Sequence, residues 1–319
     1  MTSVVFRAPS ASSAVAAAPQ ANRIAWLRRT LFHGGVLIGL IFAAYLFLVA
    51  APYRGSMAFD VVAYYNVDLA NPYGGNVGDL GFFAYSPPIA LILAPFTHLP
   101  WIVFVALWYV LLLMALVWLG RRELLVLLAF PPVAIDLYHG NIHLLLGSAI
   151  VLGFRYPAAW SFVLLTKVTP GVGLLWFAAR REWRQLTVAL GATAAIVAIT
   201  FVMLPAQWMA WLNMLAESAG TPPPWPALPI PLWLRLPMAA AIVVWGARRD
   251  ARWAVPVAVA ISVPALWPGA FAILAACWPL RRAISAQPNE KETGAEPDRG
   301  YHAPDVPVPA RGGREPASA

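Results

Sequence analysis

The feature that most constrains this chain is an alternation: long apolar runs broken by small clusters of arginine. The clusters are Arg28-Arg29, Arg121-Arg122, Arg180-Arg181 with Arg184, Arg248-Arg249 with Arg252, and Arg281-Arg282. Only 11% of the residues are charged and 61% are hydrophobic, whereas a soluble domain carries about 25% charged residues. A chain this apolar cannot hide its surface inside itself, so lipid must be its solvent. The clusters then read as cytoplasmic turns under the positive-inside rule. The same distribution excludes nucleic acid as a partner despite the net charge of +8, because a DNA-binding protein gathers its cations on one soluble face. The single cysteine, Cys277, lies in an apolar run. No disulfide within the chain is possible, and no cysteine metal site is suggested.

Read through these clusters, the chain is an all-α, multi-pass membrane protein with about ten crossings and both termini in the cytoplasm. Residues 1–30 form a disordered cytoplasmic tail, 31–282 the transmembrane domain, and 283–319 a second disordered cytoplasmic tail with balanced charge. Leu31 to Ala51 is long enough to be the first crossing, and the chain emerges outside into a loop at 52–100. Within that loop "SPPIALILAP" predicts a short helix lying along the interface, with Ser86 as N-cap and Pro87 at the first helical position. Between Arg122 and Arg180 the number of crossings is even: four short ones at 124–138, 140–154, 156–166 and 168–179 place "YHGNIH" and Lys167 outside and Arg155 inside, whereas two long ones, the alternative, would place them differently. A second outer loop is expected at 205–230, with Trp208, Trp211 and Trp225 in the interfacial belt. The final pair of crossings is read at 253–266 and 267–280.

Ionisable groups at membrane depth are costly and default to a functional reading. Of the 22 Lys+Arg residues only Lys167 and Lys291 are lysines, and Lys167 interrupts "WSFVLLTKVTPGVGLLWF". One reading has it snorkelling to outer headgroups; the other has it holding a phosphate in a lipid-facing cavity. Asp60, in "FDVVAYY", would share a helical face with Tyr64. By itself Asp60 also fits a solvated acid at a helix start, and Asp68 and Asp79 read as loop acids. "DLYHGNIHLL" gathers Asp136, His139, Asn141 and His143 around Gly140. The four-residue spacing of the histidines resembles a helical metal pair, but the HExxH glutamate is missing and no metal is expected. The motif suits either a polar cap for two helix ends or the rim of a polar-ligand pocket.

The order of "FDVVAYYNVDLANPY", "FAYSPPIALILAPF", "HGNIHLLLG", "LLTKVTPGVGLLWF" and "RREWR" resembles glycosyltransferase family 87, the polyprenyl-phosphate-mannose-dependent mannosyltransferases of the glycosyltransferase-C superfamily. The likeness covers roughly residues 31–205. It implies a glycosyltransferase-C-like fold and a transmembrane catalytic domain. It also implies a polyprenyl-phosphate-sugar donor, a lipid or glycan acceptor, and chemistry on the outer face of the cell membrane. Asp60 then takes the position of the catalytic base. Lys167, with Arg54 or His139, would hold the donor phosphate, and Tyr64, Asp136, Asn141 and His143 would line the pocket. A lipid phosphate is already a good leaving group, so one base and one cation suffice, with inversion at the sugar. No nucleotide-binding glycine loop is visible, and no cofactor is expected. A transporter or flippase of lipid-linked sugars, or a non-catalytic assembly protein, is the alternative class. A transporter more typically carries an internal repeat, and none is seen here.

Overall fold

A computed structural model describes residues 11–218 and 228–285, and among them every regular element is helical. The first helix, α1 (Ala11–Tyr45), continues through a π-helical turn at Leu46–Ala50 into α2 (Ala51–Arg54), which Gly55 ends at φ 61°. Two short helices, α3 (Phe59–Tyr65) and α4 (Pro87–Leu93), flank an irregular loop. The long α5 (Trp101–Gly120) passes through the Arg121-Arg122 turn into α6 (Leu124–Leu128). Then come α7 (Pro131–His139), α8 (His143–Gly153), α9 (Trp160–Thr166) and α10 (Leu175–Ala179). The chain closes with α11 (Trp183–Met203), α12 (Pro205–Ser218), α13 (Leu232–Arg248), α14 (Ala254–Ser262), a 3₁₀ stretch at Pro268–Ala276, and α15 (Cys277–Ser285).

Among the described residues three helical segments are long and apolar enough to cross a membrane: Arg23–Arg54, Trp101–Leu128 and Trp183–Met203. A fourth follows if α7 and α8, bent by 115° at their junction, count as one broken span. Apart from the 17-residue α13, which matches the crossing read at 231–247, the other stretches expected to cross are short. A helix of nine to eleven residues is about 14–17 Å long, roughly half the ~30 Å hydrocarbon core.

Side-chain exposure separates the two kinds of helix. On α1, Leu37, Ile38 and Ile41 are exposed, and on α11 so are Ile199, Val202 and Met203. Lipid is the solvent that accepts such faces without penalty. By contrast Val255, Ala258 and Val259 of α14 and Ala270, Ala272 and Ile273 of the 3₁₀ stretch are fully buried. The α14 helix packs on α13, while the 3₁₀ stretch packs on α7 and α8. Alanine at these contacts lets the backbones approach closely.

Several local expectations change. Helix α1 begins at Ala11, inside the stretch read as a disordered tail, while residues 1–10 and 286–319 lie outside the described residues. The 205–230 stretch is not simply a loop, since α12 occupies its first part and residues 219–227, with Trp225, lie outside the described residues. Trp208 and Trp211 are buried rather than set in an interfacial belt. Their indole N–H groups donate to Thr200 Oγ1 (3.3 Å) and the Ala84 carbonyl (3.2 Å), which fastens α12 to its neighbours. Ser86 does precede α4, with Pro87 at N1, but its hydroxyl does not cap the helix. It donates instead to the Leu165 carbonyl at the end of α9.

Helices α8 and α9 form an adjacent pair with distinct ends. His143 opens α8 and Lys167 follows α9, and they meet at one end. The intervening Arg155 lies at the other end, where Arg252 stacks on Phe154 and Arg180 pairs with Asp250 at 3.0 Å. The chain thus separates a mixed polar cluster from an arginine-rich end.

Candidate active site

The polar cluster is organised by one glycine. Gly140 ends α7 at φ +71°, a conformation that side chains with a Cβ rarely adopt. A Cβ there would also collide with Val61 Cγ2 of α3. The Gly140 carbonyl accepts a hydrogen bond from Trp108 Nε1 at 2.7 Å. The Ala58 N–H and the Tyr109 hydroxyl both donate to the Tyr138 carbonyl, at 3.0 and 3.1 Å. These contacts satisfy part of the carbonyl end of α7. They also dock the start of α3 onto it, which brings Asp60 over the residue that follows the glycine.

Asp60 Oδ2 accepts from Asn141 Nδ2 at 2.7 Å, and Asn141 Oδ1 in turn accepts from the Ile142 N–H at 2.7 Å. Asp60 is half-buried, and its Oδ1 has no hydrogen-bond partner among the described residues. Burial pushes its carboxyl above the usual carboxylate range; the Asn141 amide and the charges of His139 and Lys167 pull it back without cancelling that rise.

Asp136 has the opposite setting. It is fully buried, with Oδ1 2.8 Å from His143 Nδ1 and Oδ2 accepting from the Leu144 N–H at 3.3 Å. The second bond caps the start of α8 from the preceding helix. His143 Nε2 lies 2.9 Å from Lys167 Nζ. An ammonium has only donors, so Nε2 is the acceptor and the ring proton sits on Nδ1, facing Asp136. A neutral imidazole is thereby locked between a carboxylate and an ammonium. Among the described residues no carboxylate contacts Lys167. Its charge remains available to an anion.

His139 is half-buried and donates from Nδ1 to the Ile135 carbonyl at 3.0 Å. It therefore does not pair with His143 as a four-residue spacing on one helix would require, because the Gly140 break sends them into different helices. Among the described residues no group of three or more His, Cys, Asp or Glu could hold a metal ion. Tyr64 shares a helix with Asp60, as expected, but is buried, its hydroxyl 3.0 Å from that of Tyr85 and its ring on Trp108. Tyr64, Asp136 and His143 are thus all buried within the cluster. Arg54 is exposed at the end of α2 and makes no hydrogen bond or ion pair with the cluster among the described residues. Asp68 and Asp79 are exposed loop acids, accepting from the N–H groups of Ala70 and Asn76 at 2.9 Å each.

Two residues that the sequence did not point to complete the surroundings. Trp267 sets its ring 5.3 Å from that of His139 and 6.1 Å from that of His143. Arg235 is buried and donates only to backbone carbonyls. Its signal was present in "LWLRLP", an arginine outside any cluster. Beside the site, a groove of about 450 Å³ runs between α1 and α5, lined by Leu40, Ala43, Phe47, Met57, Tyr109 and Leu113 among others. Tyr109 touches both the groove and the carbonyl end of α7.

Helices of membrane-spanning length, with a half-buried acid, an ammonium that no carboxylate contacts among the described residues and an apolar groove, define a membrane-type helical protein. The chain belongs to glycosyltransferase family 87, whose family model matches residues 83–290. That span contains Asp136, His139, Asn141, His143 and Lys167, reaches beyond the likeness read from the sequence at its C-terminal side, and starts after Asp60 and Tyr64. Membership indicates a glycosyltransferase, with a sugar donor and an acceptor. No curated protein matches the chain, and no solved structure does.

Proposed function

We propose that the protein transfers a hexose, mannose by the family resemblance, from a polyprenyl-phosphate donor to a lipid or glycan hydroxyl on the outer face of the cell membrane. The observation that carries this reading is the separation of charges. Asp60 keeps one carboxylate oxygen open, and Lys167 keeps its charge free of any contacting carboxylate, in one half-buried cluster.

Asp60 takes the proton of the acceptor hydroxyl as that oxygen bonds to the anomeric carbon. The bond from the anomeric carbon to the phosphate oxygen breaks, and the electron pair leaves with the lipid phosphate. Lys167, with a hydrogen bond from His139, stabilises that departing charge. A single displacement inverts the anomeric centre. The apolar groove between α1 and α5 suits the prenyl tail, since its lining is aliphatic and aromatic and it adjoins the site. Arg54, exposed at the end of α2 and without a hydrogen bond or ion pair to the cluster among the described residues, is a second cation that could meet the phosphate from the exposed side. In this reading the short helices cross as broken pairs, giving about ten passes with the arginine-rich end in the cytoplasm.

The test is transfer by the purified full-length protein in lipid nanodiscs. The expected result is product from a polyprenyl-phosphate hexose and none from the corresponding nucleotide sugar. Transfer from the nucleotide sugar alone would overturn the lipid-donor reading. Single-cysteine labelling in a Cys277→Ser background tests sidedness: a cysteine near Asp79 should react from outside, and one near Arg181 from the cytoplasm only.

A further inference from the structure

Arg235 and Trp267 form a unit that the scheme above does not use. The Arg235 guanidinium donates from Nε to Ile230 O at 2.8 Å, from Nη1 to Ile261 O and Val263 O at 2.7 Å each, and from Nη2 to Pro264 O at 2.9 Å. No carboxylate pairs with it among the described residues. A buried cation spent entirely on carbonyls is costly unless the geometry it holds is needed. What it holds is the bend after α14, which carries the chain to Trp267. A second contact fixes the ring from the other side, because a Cβ at Gly269 would collide with the six-membered ring of Trp267.

Trp267 differs from Tyr64 and Trp108, the aromatic pair beside Asp60. Tyr64 and Trp108 are buried and packed on each other, with centroids 4.4 Å apart, so neither has a free face. Trp267 is half-buried, and its indole N–H has no partner among the described residues. It stands against His139 and over His143, the residue that holds Lys167. A hexose presents an apolar C–H face and a rim of hydroxyls, and an indole offers an apolar face and one donor.

We propose that Trp267 is the platform on which the donor's hexose stacks, and that Arg235 is the residue that positions it. This rests on the lipid-phosphate reading of the same site. It divides donor recognition between charge, supplied by Lys167, and the sugar ring, supplied by Trp267.

The probe is a pair of lipids, a polyprenyl phosphate and the same lipid carrying one hexose, titrated onto the full-length protein in nanodiscs. The measured quantity is the ratio of the two affinities. The unaltered protein should favour the sugar-bearing lipid, and Trp267→Leu should lower the ratio by about tenfold, the scale of one lost aromatic contact. Trp267→Phe should retain most of it. Gly269→Ala should lower the ratio by displacing the ring, and it decides the matter if Trp267→Leu does not fold. Arg235→Lys cannot reproduce the planar fork, so it should lower the ratio as well. A loss of thermal stability with the ratio intact would make Arg235 merely structural and overturn its positioning role. An unchanged ratio in Trp267→Leu or, failing that, in Gly269→Ala overturns the platform. Equal binding of both lipids by the unaltered protein overturns the platform alone. Binding of neither overturns the platform together with the donor reading.

Discussion

Two regions of the site each supply one carboxylate, and they treat it in opposite ways. On α3, Asp60 sits at the first turn of a short helix, half-buried, with one oxygen held by Asn141 and the other open. At the α7–α8 break, Asp136 is fully buried, and both oxygens are engaged by His143 and the Leu144 N–H. An open oxygen can take up a proton from a ligand, whereas an oxygen already accepting a hydrogen bond inside the core cannot do so without breaking structure. The difference separates a residue suited to chemistry from one suited to holding other residues in place. Substitutions can be ranked by how hard they press on it.

The largest effect is expected from Asp60→Asn. The amide keeps the size and can keep the contact with Asn141 but cannot accept the acceptor's proton. Transfer should fall by about 10²–10⁴-fold, the usual worth of base catalysis, while the melting temperature stays near that of the unaltered protein. If Asp60→Asn keeps its turnover and Asp136→Asn is inactive with unaltered stability, the two regions have exchanged roles and the assignment of the base is wrong.

Next is Lys167→Ala, which removes the unneutralised cation. A loss of about 10²–10³-fold in turnover is expected, comparable to deleting one charge-stabilising donor. Lys167→Arg should recover only part, because a planar guanidinium does not replace a compact ammonium on the His143 ring. Donor affinity and turnover at the original level in Lys167→Ala would leave the lysine as a structural partner of His143 alone.

Asp136→Ala is expected to act through stability first. It strands the His143 Nδ1–H and the Leu144 N–H in a buried setting, at a cost of about 1–3 kcal/mol. Thermal or denaturant unfolding of the purified protein measures this directly. An inactive Asp136→Ala protein that melts like the original would show that Asp136 acts in the chemistry, and would erase the contrast with Asp60.

How far these roles were legible in the sequence depends on what a residue had to stand out against. Lys167 was conspicuous because a charge in an apolar frame is rare and costly, whereas Asp60 by itself read equally as a solvated acid and took its assignment from the family resemblance. The pairing of Asp136 with His143 was not, since the partners are seven residues apart across the Gly140 break. Helical periodicity pointed instead to His139 and His143, which the same break separates. Arg54, named as an outer-side cation for the donor phosphate, stands exposed at the end of α2, where the left-handed turn at Gly55 ends the helix. The three long helices were readable from length alone, whereas α14 and the Pro268–Ala276 stretch were not readable as core. A run of alanine and valine is equally apolar whether lipid or protein covers it. Arg235 escaped notice because this chain spends most of its arginines on turns.

The smallest perturbation of the contrast is Asn141→Ala, and it is read by pH. The base must be ionised to accept a proton, so activity falls as pH drops through the Asp60 pKa. Burial raises that pKa, and the Asn141 amide opposes the rise by donating to the charged form. Removing the amide withdraws the opposition, so the carboxyl should rise further, and the acid limb of the kcat/KM profile should move to higher pH. The profile for kcat/KM is the one to follow, since it reports the free protein's groups. Asn141 also accepts from the Ile142 N–H at 2.7 Å, so some loss of turnover at every pH is expected alongside the shift. The shift is the part that distinguishes the two acids. The Asn141 side chain bonds the Asp60 carboxylate, whereas the Asp136 carboxylate is held by His143 and Leu144 and meets Asn141 only through the backbone, the Asn141 N–H donating to the Asp136 carbonyl at 3.0 Å, a bond that Asn141→Ala keeps. A uniform drop with an unmoved acid limb would mean that Asp60 is not the group whose ionisation the reaction follows.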